Sequence, residues 1–325
     1  MKTTRTINTN IMEHIKTLCA LDGVSGSEAA VRAYIEAQLK KSPARIDMHT
    51  DALGNLFAGV QGAQRAARKL VLAAHMDEVG LIVTHEKDGF TRFETVGGVD
   101  GGVLYGRRVR CGEHVGVVGG KAVHLCGKEE KNSVPDELWL DMPGARPGDT
   151  CAFDSEYIEM GEHTICAKAL DDRIGCALLL SLAEETPLYD ITLVFTVQEE
   201  IGTRGAQTAA FAVAPDIAVV VEATTAAEHV CVPGEGAVIS FMDKGTLYDA
   251  ELYARLRALP CKTQTKTAVA GGNDAAAWQR AGAGCRVAAV SVPCRNLHSP
   301  SVTADTRDIE AVRQVLQAVA EEWPC

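Results

Sequence analysis

The chain has 325 residues, 46% hydrophobic and 23% charged, ordinary globular values that exclude wholesale disorder and a fibrous repeat. Its 43 acidic residues outweigh 32 Lys and Arg, and a net charge of −11 argues against nucleic acid as a partner. No apolar run approaches the roughly 20 residues needed to cross a bilayer, so no membrane association is expected. The first 22 residues lack the continuous apolar stretch of a secretory signal, and the expected location is the cytoplasm. The 11 cysteines are odd in number, scattered and without a C-x-x-C pair, so they read as buried thiols rather than bridges.

Along the chain, Ile11, Ile15 and Leu18 recur at helical spacing. Ser25-x-x-Glu28 has the pattern of a capping box before a second amphipathic helix through Val31, Ile35 and Leu39. Lys69 to His75 is short, apolar and bounded by polar residues, as in a parallel-sheet strand buried on both faces. From about Thr84 to His163 paired glycines and short Val-rich runs replace helical periodicity, which predicts a small all-β, barrel-like unit. Alternation then resumes, with strands at 163–168, 190–197, 216–221 and 286–292 and helices at 173–185, 247–258, 273–281 and 305–323. The expected fold is α/β, a mostly parallel sheet with helices on both faces. Residues 1–83 and 164–325 form that domain, and residues 84–163 form the inserted β domain.

Ligands of open α/β sheets bind beyond the carboxyl ends of the strands. Ionisable residues follow five apolar runs: His75, Asp77 and Glu78; Asp171, Asp172 and Arg173; Glu199 and Glu200; Glu222; and, after a few more residues, His298. Singly, each has an ordinary reading, such as a helix N-cap for Asp172, a hydrogen-bonded structural histidine, or a solvated pair for Glu199 and Glu200. Gathered in one cleft, so many carboxylates would repel one another unless cations compensated them. Two divalent ions balance Asp171, Glu200, Glu222 and a bridging hydroxide. Imidazole and carboxylate donors without thiolate suit zinc, cobalt or manganese.

The stretches Ala74-His-Met-Asp-Glu-Val-Gly80, Lys168-Ala-Leu-Asp-Asp-Arg-Ile-Gly175, Gln198-Glu-Glu-Ile-Gly-Thr-Arg-Gly-Ala206 and Pro293-Cys-Arg-Asn-Leu-His-Ser299 resemble the M42 family of dinuclear metallo-aminopeptidases. Val96-Gly-Gly98, Gly106-Arg-Arg-Val109 and Gly271-Gly-Asn-Asp274 add to the resemblance, which runs along nearly the whole chain. It implies a zinc-peptidase-like fold, two divalent metal ions, and peptides with a free N-terminus as substrates. It also implies a homo-oligomer, from dimer to dodecamer, with the β insert in subunit contacts.

By position, the resemblance makes His75, Asp171, Glu200, Glu222 and His298 the metal ligands, with Asp171 as the bridge between the two ions. It makes Glu199 the general base, and it makes Asp77 a catalytic partner that fixes the His75 ring. Many family members carry Asp where Glu222 stands, and relatives often differ after it, where this chain reads Ala223-Thr-Thr-Ala-Ala-Glu228. The acidic segment around Asp141 to Asp149 is commonly longer in the family.

Competing readings rest on less. Gly116-Val-Val-Gly-Gly-Lys121 lacks the Ser or Thr of a phosphate loop, and Gly23-Val-Ser25-Gly-Ser27 lacks the last glycine of a nucleophile elbow. Cys111-x-x-His114 and His124-x-Cys126 have zinc-capable atoms at poor spacing, and Cys294 with His298 suggests a thiol protease. A glycosidase would use two carboxylates and leave both histidines unexplained. A peptide-binding or assembly protein with a decayed site is the non-enzymatic alternative.

Overall fold

A computed structural model describes residues 9–127 and 137–323. The main body is an eleven-stranded sheet. At its centre Ile191–Thr196, Leu70–His75, Ile217–Thr225 and Arg286–Arg295 lie side by side and parallel. Antiparallel strands widen it: Leu56–Val60 and Ile46–Thr50 on one flank, Val302–Asp305, Thr164–Ala167 and Ile158–Met160 on the other. Ala237–Ile239 also pairs with Arg286–Arg295 and carries Thr263–Thr265 on its outer edge. The parallel character read from the apolar runs therefore belongs to the four central strands, which are covered on both faces.

The period-two alternation of a strand explains that covering. Leu70, Leu72 and Ala74 pack into one core with Ile11, Leu18, Ile35 and Val315, whereas Val71 and Ala73 pack into another with Ala209 and Trp278. Full burial of a large aliphatic side chain stabilises by roughly 1.5–3 kcal/mol, so shifting the strand by one residue would sacrifice both cores at once.

The barrel is closed by six strands in the order Gly80–Lys87, Phe90–Val96, Trp139–Asp141, His114–Gly119, Arg108–Cys111 and Thr150–Phe153. Its interior holds Leu81, Val83, Phe93, Val109, Val118, Leu140 and Phe153. It begins at Gly80, two residues after Glu78, where a Cβ would lie 2.7 Å from the Cys151 carbonyl oxygen, so glycine alone lets the chain pass from sheet to barrel. Ile158–Met160, read as part of the β insert, instead pairs with Thr164–Ala167 in the main sheet.

Local chemistry moved some boundaries. The capping box at Ser25 does not form, because Glu28 accepts from Gly26 and Gln198 backbone N–H groups and Ser25 Oγ donates to Asp77. The helix it was to open runs Ala29–Leu39. Caps do form at Asp249, which accepts from the Glu251 and Leu252 N–H groups to open Ala250–Ala258, and at Asp305, which opens Thr306–Glu322. The ten cysteines among the described residues are free thiols, and Cys325 lies outside those residues. Among the described residues, no helix is long and apolar enough to cross a membrane.

Candidate metal centre

The carboxyl ends of the central strands deliver their last residues to one place. His75 closes its strand with its ring buried, and Nδ1 meets the Asp77 carbonyl oxygen at 3.2 Å and Asp77 Oδ1 at 3.4 Å. Nε2 is thereby left facing inward, 3.2 Å from Asp171 Oδ1 and 3.3 Å from Glu222 Oε1. On the other side of Asp171, His298 Nε2 lies 3.8 Å from Asp171 Oδ2 and 3.3 Å from Glu200 Oε2. Two three-residue donor groups result, His75–Asp171–Glu222 and Asp171–Glu200–His298, with Asp171 shared.

Asp77 is fully buried and serves as a hub. It accepts from Ser25 Oγ at 2.6 Å, from the Glu199 N–H at 2.9 Å and from the Glu200 N–H at 3.1 Å. One carboxylate therefore holds the His75 ring and the backbone of both glutamates. His298 is held separately, by a contact of 2.8 Å between Nδ1 and the Gly98 carbonyl oxygen. A Cβ on Gly98 would stand 3.2 Å from that nitrogen. Asp172, joined to Asp171 by a cis peptide bond, turns away and accepts from the Gly175 N–H at 2.9 Å, capping the helix that follows. Gly175 is required there, because a Cβ would run into the Asp172 carboxylate.

Crowding of carboxylates out of water leaves clear electrostatic marks. Burial, with Asp171 alongside, pushes the Glu222 carboxyl up to about 8, against the pull of His75. Burial also raises Glu199 and Glu200 well above the usual carboxylate range, helped by Glu222 at Glu199 and by Asp171 at Glu200. His75 moves the other way from an ordinary buried histidine. Burial would lower it, but Glu222 and the hydrogen bonds to Asp171 and Asp77 raise it well above its usual value. Glu222 Oε2 is buried with no hydrogen-bond partner among the described residues. A buried carboxylate oxygen with no donor, in a group with the His75 imidazole and the Asp171 carboxylate, fits a divalent cation.

Sequence reasoning missed the supports around this centre. Glu78 accepts from Lys168 Nζ at 2.7 Å and from Arg173 Nη2 at 3.3 Å, and it also accepts from the Gly23 N–H. All three side chains are at most 3% exposed. These motif residues thus lock the strand end to the helix below it. Glu78→Ala takes away the carboxylate that buried Arg173 faces and leaves Lys168 to Asp22, 3.1 Å away, and it is expected to cost about 3–5 kcal/mol of stability, read as a lower urea midpoint by circular dichroism. Asn55, also fully buried, accepts from the Val197 N–H and donates to the Gly205 carbonyl oxygen, fixing the turn that presents Glu199. Ala169, Gln198 and His298 all have positive φ, strain that collects where side chains are aimed at a site. No pattern of residue types announces these contacts.

The thiol reading fails on geometry. Cys294 is fully buried, and burial beside Asp171 and Asp172 raises its thiol well above the usual range, so it is no nucleophile. Among the described residues no donor group forms around Cys111, His114, His124 or Cys126.

The family profile described as M42 glutamyl aminopeptidase matches residues 54–315. The lysyl aminopeptidase of Pyrococcus furiosus is 30% identical over 343 residues, covering 95% of this chain and 96% of that protein. Among solved structures, an aminopeptidase of the archaeon Desulfurococcus kamchatkensis superposes with a TM-score of 0.89 at 31% identity, over 96% of this chain and 94% of its own. The Pyrococcus horikoshii TET1 peptidase, which can assemble into a tetrahedron or a large octahedral shell, gives 0.86 at 28% identity, over 96% and 99%. The chain belongs to the M42 family of aminopeptidases.

Proposed function

We propose that this chain is a metal-dependent aminopeptidase that releases the N-terminal residue of peptides. The observation that carries the reading is the pair of donor groups that share Asp171. His75, Asp171 and Glu222 would hold one divalent cation, and Asp171, Glu200 and His298 a second. Zinc is the ion we favour, with cobalt or manganese as alternatives of compatible chemistry. Bound there, such cations supply Lewis-acid polarisation of a carbonyl and lower the pKa of water.

The chain's own residues do the rest. Glu199 belongs to neither donor group, lines the same cavity, and has its proton affinity raised by burial. It therefore suits a base that takes a proton from the attacking water and delivers it to the departing amine. Asp77 touches no part of the cavity and acts as a positioning residue, holding the His75 ring and the Glu199 and Glu200 backbone. The carboxylate cluster gives a substrate's α-ammonium group an anionic seat, which restricts cleavage to the first peptide bond. A glycosidase would have no use for the two imidazoles.

The assembled state of TET1 supports a homo-oligomer here as well. The barrel exposes Val115, Val117, Val123 and Leu125, and this apolar set suits the barrel to subunit contacts. Free thiols fit a reducing, cytoplasmic setting.

Aminoacyl-p-nitroanilides and their N-acetylated counterparts test the reading. Release of nitroaniline is expected from the free-amine series alone, lost on chelation and restored by added zinc, cobalt or manganese. Chelator-resistant turnover, or equal cleavage of blocked substrates, would exclude it.

A further inference from the structure

The donor groups open into a cavity of about 580 Å³ whose lining also carries charge away from them. Among the described residues lining it, Lys266 is the one Lys or Arg, and every other permanently charged group is a carboxylate. Its position follows from sheet register. Glu222 pairs with Ser291, Ser291 with Val238, and Val238 with Gln264, so Gln264 stands on the same rung as Glu222, three strands away. Lys266 comes two residues later and faces the same side, its N–H still bonded to the Ile239 carbonyl oxygen. At about 4.8 Å per strand, the two backbones are on the order of 15 Å apart. Once both long side chains reach inward, the space between them fits the side chain of a single amino acid.

We infer that Lys266 makes this site selective for peptides whose first residue is Glu or Asp. The inference rests on the aminopeptidase reading, with the substrate's α-amino group at the carboxylate cluster and its side chain reaching toward Lys266. Lys266 Nζ donates to the Ala270 carbonyl oxygen at 2.9 Å, a neutral acceptor that holds the ammonium group in place without cancelling its charge. The opposite preference, for a basic first residue, would need a free carboxylate on the far wall. Asp243 is the candidate there, but it is spent: it is 2% exposed, Oδ1 accepts from the Gly245 and Thr246 N–H groups, and Oδ2 accepts from Tyr248 Oη at 2.5 Å. Relatives include both glutamyl and lysyl aminopeptidases, so a charged far wall has a choice of substrate to decide.

Initial rates on glutamyl-, leucyl- and lysyl-p-nitroanilide test the inference, together with calorimetric binding of free L-glutamate and L-leucine. For the wild type, kcat/KM on the glutamyl substrate is expected to exceed that on the leucyl substrate by about 10- to 100-fold, the range of a charge-assisted contact. Lys266→Ala brings that ratio close to one, mainly through KM; Lys266→Arg keeps it; Lys266→Glu turns the preference to the lysyl substrate. A wild type that cleaves the leucyl substrate as well as the glutamyl one, or a Lys266→Ala ratio unchanged from wild type, overturns the assignment while leaving the hydrolytic reading intact. Conversely, tighter binding of glutamate than leucine that depends on Lys266, without cleavage of any substrate, upholds the selectivity and removes the hydrolytic reading.

Discussion

Replacing Glu199 by Gln is expected to lower kcat by about 10²- to 10⁴-fold, the usual share of a general base, while KM and cation content stay near wild type. The expectation follows from where the residue stands. Glu199 shares the cavity with Asp171, Glu200, Glu222 and His298, yet it contributes no atom to either donor group. Its backbone N–H is fixed by Asp77, so an isosteric amide keeps the turn and loses only the capacity to carry a proton. Elemental analysis beside steady-state kinetics separates the outcomes. A variant that loses a cation shows Glu199 to be a ligand, and a fully loaded variant that keeps more than a tenth of its activity shows that the base lies elsewhere.

What the sequence made legible and what it hid divide along physical lines. The central strands are buried on both faces, so they stand out as unbroken apolar runs, and the first polar residues after each run fall at the sheet's ligand-binding edge. His75, Glu200 and Glu222 could be picked out for that reason, whereas Asp171 follows Thr164–Ala167, a flanking antiparallel strand whose short apolar run reads the same way. Edge strands carry no such mark. Ile46–Thr50 is largely exposed and went unread, as did the helix Arg204–Val213, which is rich in alanine. Positioning contacts were hidden for a different reason, since they join residues far apart in the chain through backbone atoms. Gly98 holds His298 across 200 positions and Asn55 holds Val197 across 142. Glu28 read as a helix cap because its spacing from Ser25 is right; the folded chain uses both side chains to steady the site instead. Lys266 follows a three-residue strand at the outer edge of the sheet, and only register shows that it faces the acidic cluster.

Asp171→Ala is expected to empty both cation positions rather than one, because its two oxygens face different histidines, Oδ1 toward His75 and Oδ2 toward His298. Loss of groups that merely orient metal ligands costs 10- to 100-fold in affinity, and a carboxylate common to two donor groups is expected to cost at least about 100-fold at each. Activity falls with occupancy, but occupancy itself is the sharper measurement. Titration of the chelated protein with zinc gives two equivalents for wild type and less than one for the variant at the same free concentration. Stability without cations should fall as well. Asp171 is one of several carboxylates buried together, and its charge is among the causes that raise Glu200 and Glu222. Burial would raise Asp171 itself, yet its hydrogen bond to His75 and the charge of that ring hold it below the usual carboxylate range, so its ionised form stabilises the fold at neutral pH and the chelated variant should melt below chelated wild type. Added zinc should then raise the wild-type Tm by mass action and leave the variant nearly unmoved. A variant that still binds two equivalents, or that gains as much Tm from zinc as wild type, would show that Asp171 is not the shared ligand.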